Sequence, residues 1–389
     1  MSSSSLELET NHDQGSLQGF LPQQDPLVRL PKPFEAWEQV AQELPKLFAS
    51  DHLHRTIQDL PPFPLHELSG QREVERAMVL LSYLGHAYVW GGAQPQTVIP
   101  RRLAVPWHQV AEKLGRPPVL SYSSYALHNF YRLDPSREIE CGNIALIQNF
   151  LGGIDEEWFI LIHVDIERRA APAMAALHAC LDAAEAGEAE ELEAQLTQVE
   201  ASLQAMHATM MRMPEHCDPY IYYHRVRPYI HGWKNHPDLP EGVLYEGVEA
   251  YGGRPQQFRG ETGAQSSIIP ALDAMLGVAH QHDMLITYLQ EMRTYMPPEH
   301  RAFIESLESK TPVRSFVQRC SKPSLTSIFN ACTGAVERFR SLHLEYAARY
   351  IFNQAQTDAK NPHAVGTGGT PFMQYLKKHR DETGMSRVK

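Results

Sequence analysis

One stretch decides the fold class: residues 326–353, TSIFNACTGAVERFRSLHLEYAARYIFN. It contains no proline, and its apolar side chains recur every three or four residues, which is the spacing of one helix face. Ser327, with Ser324 before it, is predicted to cap the N-terminus of this helix. The stretch therefore predicts one long, partly buried helix, whose apolar stripe is formed by Phe329, Cys332, Val336, Phe339, Leu342, Tyr346 and Tyr350.

A histidine, His343, lies inside this apolar stripe. One interpretation is a core histidine whose ring nitrogens are satisfied by backbone groups. The other is a ligand to a metal or to haem iron, because neutral imidazole is the commonest protein ligand of such ions. The helix alone leaves both interpretations open.

Composition indicates an ordinary soluble globular protein of 389 residues, 43% hydrophobic and 21% charged, long enough for two domains. The net charge is −11, from 35 basic and 46 acidic residues. This charge argues against a nucleic acid or an anionic membrane as the main partner. The longest apolar run, residues 158–166, is too short to span a bilayer.

The N-terminal sequence MSSSSLELETNHDQG is polar and has no signal-peptide pattern, so residues 1–20 are predicted to form a disordered tail. The five cysteines are an odd count without a CxxC pair or a CxxCH motif. This usage favours free thiols in the cytoplasm, gives no zinc site, and means that any haem would be held non-covalently. The cysteines are Cys141, Cys180, Cys217, Cys320 and Cys332.

The remaining chain is predicted to be all-α, with a small helical domain at 21–150 and a large one at 151–389. The small domain carries at most a short β-ribbon, for which residues 119–122 are a strand-length run. The glycines of 366–370 precede a predicted helix. They indicate that 354–370 is a mobile loop over an active site, although a plain linker between helices is the alternative.

Eight stretches, in order, resemble the indoleamine 2,3-dioxygenase family, and together they extend from about residue 25 to residue 380. They are AYVWGG (87–92), RLAVPW (102–107), GRPPVLSY (115–122), RPYIHGWKNHPDLPEGVLYEG (227–247), FRGETGAQSS (258–267), YMPPEHRAFIESLE (295–308), SLHLEYAARYI (341–351) and GTGGTPFMQYLKK (366–378).

This resemblance implies an all-helical enzyme whose larger domain encloses haem b. The family inserts both atoms of O₂ across the indole C2–C3 bond of L-tryptophan and gives N-formylkynurenine. The resemblance also implies a cytoplasmic monomer that binds L-tryptophan or a related indole. Two alternatives stay open: a haem protein that carries or senses O₂ on the same scaffold, and an enzyme that acts on a modified tryptophan.

On the haem side, the resemblance makes His343 the proximal iron ligand. Arg340 matches an arginine that pairs with a haem propionate, the alternative being a solvated side chain. Asp273 is expected to order the His343 ring, the alternative being an ordinary helix-surface carboxylate. Small residues that match those beside the haem are Thr262, Gly263 and Ala264.

On the substrate side, Arg227 matches the arginine that receives the substrate carboxylate, a role for which a guanidinium fork is well suited. The alternative is a surface arginine. Thr367 matches a residue that closes on the amino-acid group of the substrate. Aromatic residues that match the indole pocket are Tyr222, Tyr223, Tyr122 and Tyr125.

The sequence departs from the animal members of the family in EEWFILIHVDIE. His163 stands where those members have a distal serine, and Phe159 takes the place of a pocket aromatic. A distal histidine is typical of the sister family, tryptophan 2,3-dioxygenase. His163 is therefore expected to hydrogen-bond O₂ or the indole N–H, unless the alignment slips by one residue and His163 is only a buried helix residue.

Overall fold

The computed structural model describes residues 18–280, 284–357 and 372–388, and these are mostly helical, as predicted. Thr367 and most of the predicted active-site loop at 354–370 lie outside the described residues, as do residues 1–17 of the predicted tail. None of the described helices combines the length and the apolar character that a membrane span requires.

The N-terminal part has five helices, of which α4 is buried along nearly its whole length because apolar residues cover almost all of its faces. Three tryptophans, Trp37, Trp107 and Trp233, are completely buried in this region. The helices are α1 (Glu35–Gln42), α2 (Leu44–Leu47), α3 (Leu53–Gln58), α4 (Gln71–Trp90) and α5 (Arg101–Lys113).

Four very short strands form two pairs. Strand β1 (Val98–Ile99) pairs in parallel with β4 (Leu244–Tyr245), and β2 (Phe130–Arg132) pairs antiparallel with β3 (Ile144–Leu146). A short ribbon is therefore present, but the prediction that residues 119–122 supply it is wrong. There the backbone N–H of Tyr122 donates to the Gln265 side chain at 2.9 Å, and the chain turns directly into a π-helical turn, Ser123–Leu127.

The C-terminal part contains the longest helices, of which α6 and α7 pack against each other extensively. The helices are α6 (Ile154–Ala186), α7 (Ala189–Met211), α8 (Pro219–Ile221), α9 (Arg227–Ile230), α10 (Ile268–Leu276), α11 (Met284–Arg293), α12 (Pro298–Glu308), α13 (Val313–Cys320), α14 (Pro323–Ala347), α15 (Asn353–Thr357) and α16 (Phe372–Met385).

The predicted long helix corresponds to α14, which continues through a π-helical turn, Ala348–Phe352, into α15. Phe329 and Val336 of its apolar stripe are completely buried. The predicted serine cap is wrong: α14 begins at Pro323, a residue well suited to the first helical turn, and the Ser324 hydroxyl donates to Glu193 at 2.9 Å instead.

Two hydrophobic cores share α6. Ile160 and Val164 belong to the first core, with α1–α5 and residues 230–248, whereas Ile162 and Ile166 belong to the second, with α7, α10, α12, α13 and α14. Because one continuous helix contributes to both cores, it holds the residues between them in fixed positions. The candidate site lies along this helix.

Candidate active site

A cavity of about 290 Å³ lies between α6, α10, α14 and the segment 261–264. It brings together nine of the residues that the sequence predicts for the site. Those nine are Phe159, His163, Tyr222, Thr262, Gly263, Ala264, Asp273, Arg340 and His343. Most of the other lining residues are apolar or aromatic: Met210, Met213, Ile269, Pro270, Tyr288, Leu289, Phe339, Tyr346, Ala347, Tyr350, Ile351 and Leu376.

The helix α14 presents His343 to this cavity. The His343 side chain is exposed, because it lies on the wall of the open cavity, although protein atoms surround it on most sides. Burial lowers the pKa of His343 to about 4, and the nearby His163 and Arg340 add to the effect. The ring is therefore neutral at pH 7. It makes no hydrogen bond to any described residue, so the core-histidine interpretation fails and a nitrogen lone pair is available to a ligand.

A second helix, α6, presents His163 to the cavity between Phe159 and Tyr122, with ring centroids 4.7 and 6.0 Å away. Its Nδ1 lies 2.7 Å from the backbone oxygen of Phe159. A carbonyl oxygen only accepts, so Nδ1 carries the proton. Burial lowers the pKa of His163, so the ring is neutral and its Nε2 is a hydrogen-bond acceptor.

Arg340 is buried and bonds to Asp273 Oδ2 at 2.6 Å and to the hydroxyl of Thr383. The alternative of a solvated arginine is therefore wrong. Asp273 also accepts from His280 at 3.2 Å, so it does not order the His343 ring by direct contact, contrary to expectation. Its second oxygen, Oδ1, is buried and has no hydrogen-bond partner among the described residues.

His280 belongs to a cluster with His379 and Glu382 whose potential ligand atoms lie within 4.8 Å of one another. The two imidazole rings are stacked, with centroids 4.2 Å apart and an interplanar angle of 28°. The lone pairs of stacked rings lie in nearly parallel planes and do not converge on one ion. His280 instead links Asp273 to Glu382, whose Oε2 lies 2.6 Å from its Nδ1.

The segment before α10 forms a rigid wall of small residues. A Cβ at Gly260 would lie 2.1 Å from the backbone nitrogen of Gly232, so only glycine allows these two segments to approach so closely. The hydroxyl of Thr262 accepts from the Ala264 backbone N–H at 3.4 Å and holds the turn that follows. A Cβ at Gly263 would meet nothing within 4 Å, so this position leaves open space on the cavity side.

Four predicted substrate residues are not among those that line the cavity, although three of them contact residues that do or lie beside them in sequence. Tyr122 contacts His163, and Tyr125 packs behind Phe159 at 6.3 Å. The other two are Arg227 and Tyr223, and the guanidinium of Arg227 lies 5.3 Å from the centre of the Tyr223 ring.

Arg227 is only 2% exposed, so the alternative of a surface arginine is wrong. Burial lowers its pKa. A buried guanidinium favours an anionic partner.

Sequence reasoning missed two buried carboxyl groups. Glu261 lines the cavity, and burial raises its pKa to about 8. Glu167 accepts from the hydroxyls of Tyr122 and Ser266, both at 2.9 Å, and burial raises its pKa to about 7. The available signals were an acid within the small-residue stretch RGETGA and an acid one turn after His163 on an apolar helix.

These residues fit haem. The cavity is mostly apolar, one wall carries a neutral imidazole without a hydrogen-bond partner, and Gly263 leaves space where a side chain would obstruct a flat ring. Arg340, at the cavity edge, supplies the cation that a propionate prefers.

Comparison with known proteins identifies the family of this chain. The family model for indoleamine 2,3-dioxygenase matches residues 12–386. Indoleamine 2,3-dioxygenase 1 of Rattus norvegicus is 37% identical over 371 residues, covering 92% of this chain and 90% of the relative. Indoleamine 2,3-dioxygenase 2 of Homo sapiens is 34% identical, and the match covers 97% of this chain and 95% of the relative. Indoleamine 2,3-dioxygenase of Saccharomyces cerevisiae is also 34% identical, and the match covers 94% of this chain and 90% of the relative.

The family match extends over nearly the whole chain, and the described part of the site has the groups that a haem enzyme needs. The chain belongs to the indoleamine 2,3-dioxygenase family, whose members are haem-dependent dioxygenases, and it is an oxidoreductase of that class.

Proposed function

We propose that this enzyme converts L-tryptophan to N-formylkynurenine by adding both atoms of O₂ across the indole C2–C3 bond. The observation that carries the proposal is the pair of neutral histidines, His343 and His163, that line one mostly apolar cavity. His343 would hold haem b through its iron, and Arg340 would pair with a propionate. The haem, when bound, supplies the site at which O₂ is activated.

His163 accepts the indole N–H in this proposal. Its Nδ1–H is committed to the Phe159 carbonyl, so the nitrogen that remains, Nε2, has a lone pair and no proton. Oxygen has no proton to donate, whereas the indole N–H does. This favours the indole over O₂ as the partner of His163, and His163 acts by orienting the substrate.

Arg227 receives the substrate carboxylate. The guanidinium is buried beside the aromatic rings of Tyr222 and Tyr223, and a charge in such a place gains most from an opposite charge that also excludes water. Phe159 and Tyr222, whose ring centroids lie 4.5 Å apart, supply the apolar surface for the indole ring. Thr367, outside the described residues, is proposed to close over the amino-acid group.

The test is to mix the purified, haem-loaded, reduced protein with L-tryptophan in air and to follow the N-formylkynurenine absorbance band. We expect the band to grow. If the protein binds haem but forms no product from L-tryptophan, D-tryptophan or substituted indoles, the proposed reaction is wrong and a haem protein that carries or senses O₂ takes its place.

A further inference from the structure

His86 is a buried histidine on α4 whose two ring nitrogens join two other segments of the chain. It is 0% exposed, and its ring packs against that of Trp233, with centroids 5.1 Å apart. Nδ1 lies 2.8 Å from the backbone oxygen of Tyr229, and the backbone N–H of Leu120 donates to Nε2 at 3.0 Å. His86 is not among the residues that line the cavity, and the reaction proposed above does not use it.

These two contacts fix the protonation of the ring. The Leu120 N–H can only donate, so Nε2 accepts, and the Tyr229 carbonyl can only accept, so Nδ1 carries the proton. Burial lowers the pKa of His86 to about 4, so the ring is neutral at pH 7, as this arrangement requires. The side chain at this position must therefore supply a donor and an acceptor at the same time, which neither an apolar nor a cationic residue can do.

The helix that carries Arg227 is too short to be stable by itself. This helix, α9, has four residues, and a helix of this length needs tertiary contacts. The last carbonyls of a helix also have no partner within it. At the end of α9, three successive carbonyls accept hydrogen bonds from outside: Tyr229 from His86, Ile230 from the backbone N–H of Glu261 at 3.1 Å, and His231 from the indole Nε1–H of Trp90 at 2.8 Å.

Two of these three donors are side chains of α4. His86 and Trp90 lie four residues apart, so they share one face of this helix. Because α4 is buried along nearly its whole length, its own position is fixed by packing. The end of α9, and with it the backbone of Arg227, is therefore held against a well-fixed helix.

The other nitrogen of His86 bonds to the segment on the indole side of the site. Leu120 lies two positions before Tyr122, whose ring packs against that of His163, with centroids 6.0 Å apart. In the proposed function His163 receives the indole N–H and Arg227 receives the carboxylate. One imidazole therefore links the segments that hold the two ends of the substrate.

We propose that His86, with Trp90, is a positioning residue of the substrate site. It holds α9 so that the Arg227 guanidinium meets the carboxylate of a substrate whose indole ring lies at His163. A shift of α9 would move Arg227 away from the carboxylate and leave the indole ring where it is, so binding of the carboxylate would weaken more than binding of the indole. This inference rests on the proposed function, because it takes Arg227 to be the carboxylate receptor.

The experiment measures dissociation constants of the haem-loaded protein for L-tryptophan and for tryptamine, which lacks the carboxylate, with oxygen excluded. The ratio of the two constants reports the contact between Arg227 and the carboxylate, whereas a general loss of stability affects both ligands alike. We expect His86→Leu to lower the preference for L-tryptophan about tenfold, as for one weakened hydrogen bond to a charged group. His86→Gln, which keeps a donor and an acceptor, should restore most of the preference. A loss as large as in His86→Leu would overturn the role of the two hydrogen bonds.

His54→Leu is the matched control. His54 is a partly buried histidine whose Nε2 also lies 2.9 Å from a backbone oxygen, but that oxygen belongs to Tyr88 on α4 and not to α9. The preference ratio of His54→Leu should equal that of the wild type. An equal fall in His54→Leu and His86→Leu would overturn the inference, and so would an unchanged ratio in folded His86→Leu.

Far-ultraviolet circular dichroism checks that each variant has folded. If His86→Leu does not fold, Trp90→Phe decides, because it removes the donor to His231 and keeps an aromatic ring. Its ratio should also fall, and an unchanged ratio would overturn the inference. Arg227→Ala distinguishes this result from failure of the proposed function: if Arg227→Ala keeps the wild-type ratio, the carboxylate does not bind at Arg227 and that part of the proposed function is wrong.

Discussion

His163 and His343 face the same cavity from α6 and α14, and both rings are neutral at pH 7 because burial lowers their pKa values. The two rings differ in their hydrogen bonding. His163 has one nitrogen bound to the Phe159 carbonyl, whereas the ring of His343 bonds to no described residue. His163 can therefore orient a hydrogen-bond donor, and His343 is free to bind iron.

Removing the indole N–H tests the role of His163. We expect the wild type to bind L-tryptophan about tenfold more tightly than 1-methyl-L-tryptophan, because the methyl derivative cannot donate to Nε2. In His163→Ala the two dissociation constants should become equal. If the wild-type ratio of dissociation constants persists in His163→Ala, the methyl derivative is excluded by its size. His163 then does not bind the indole N–H.

Arg227→Ala should weaken L-tryptophan binding by about 2–5 kcal/mol, because the carboxylate of the substrate would enter a buried site without its cation. Haem content should not change. Arg227→Lys should restore little of the affinity for L-tryptophan, since an ammonium group lacks the guanidinium fork.

Arg225→Ala is the matched control, because Arg225 is exposed on the same segment. It should leave the dissociation constant, measured by calorimetry, unchanged. An unaltered tryptophan affinity in Arg227→Ala would remove Arg227 from the substrate site.

At the scale of elements, one buried network joins three helices around the cavity. Arg340 on α14 bonds to Asp273 on α10 and to Thr383 on α16, and His280 bridges Asp273 and Glu382. This network fixes the positions of the helices that carry His343 and the cavity edge.

The network should make stability depend on pH through His280. Burial opposes the charged form of this ring, but hydrogen bonds to Asp273 and Glu382 outweigh it, and the pKa of His280 is raised above 6.5. Its contribution is therefore fully present below about pH 6.5, the usual histidine pKa, and is lost as the pH rises through the folded pKa. The free energy of unfolding of the haem-free protein, from urea titrations at several pH values, should fall over this range more steeply in wild type than in His280→Phe. Equal slopes would show that His280 does not carry the effect.

The sequence predicts an element well when the interactions that form it are between residues close in sequence. The apolar stripe of α14 follows from residue spacing alone, and the structure confirms the α-helix as far as Ala347. The contacts of Asp273, the π-helical turn at Ser123–Leu127 and the location of Glu261 on the cavity wall depend on residues distant in sequence, which periodicity does not report. Tyr122 shows this well, because its backbone N–H bonds to Gln265, 143 residues away.

At the scale of the whole molecule, the two hydrophobic cores are joined by α6, so we expect them to unfold together. Four of the five tryptophans, Trp37, Trp90, Trp107 and Trp233, belong to the first core or pack on it, whereas the second core is built mainly from long helices. Tryptophan fluorescence therefore reports mainly the first core, and far-ultraviolet circular dichroism reports both.

Urea unfolding curves from these two signals should coincide. A fluorescence transition at a clearly lower urea concentration than the dichroism transition would show that the cores unfold independently, and would support the predicted division near residue 150 as a boundary between autonomous domains.

The measurement that tests the central claim most directly is haem binding by wild type, His343→Gly and His163→Ala, followed by absorbance titration. We predict one haem per chain in the wild type and in His163→Ala, and loss of haem retention in His343→Gly. Added imidazole should restore the wild-type spectrum of His343→Gly by filling the space that the side chain leaves. If His343→Gly binds haem with unchanged affinity and an unchanged spectrum without imidazole, His343 is not the iron ligand and the account of this site is wrong.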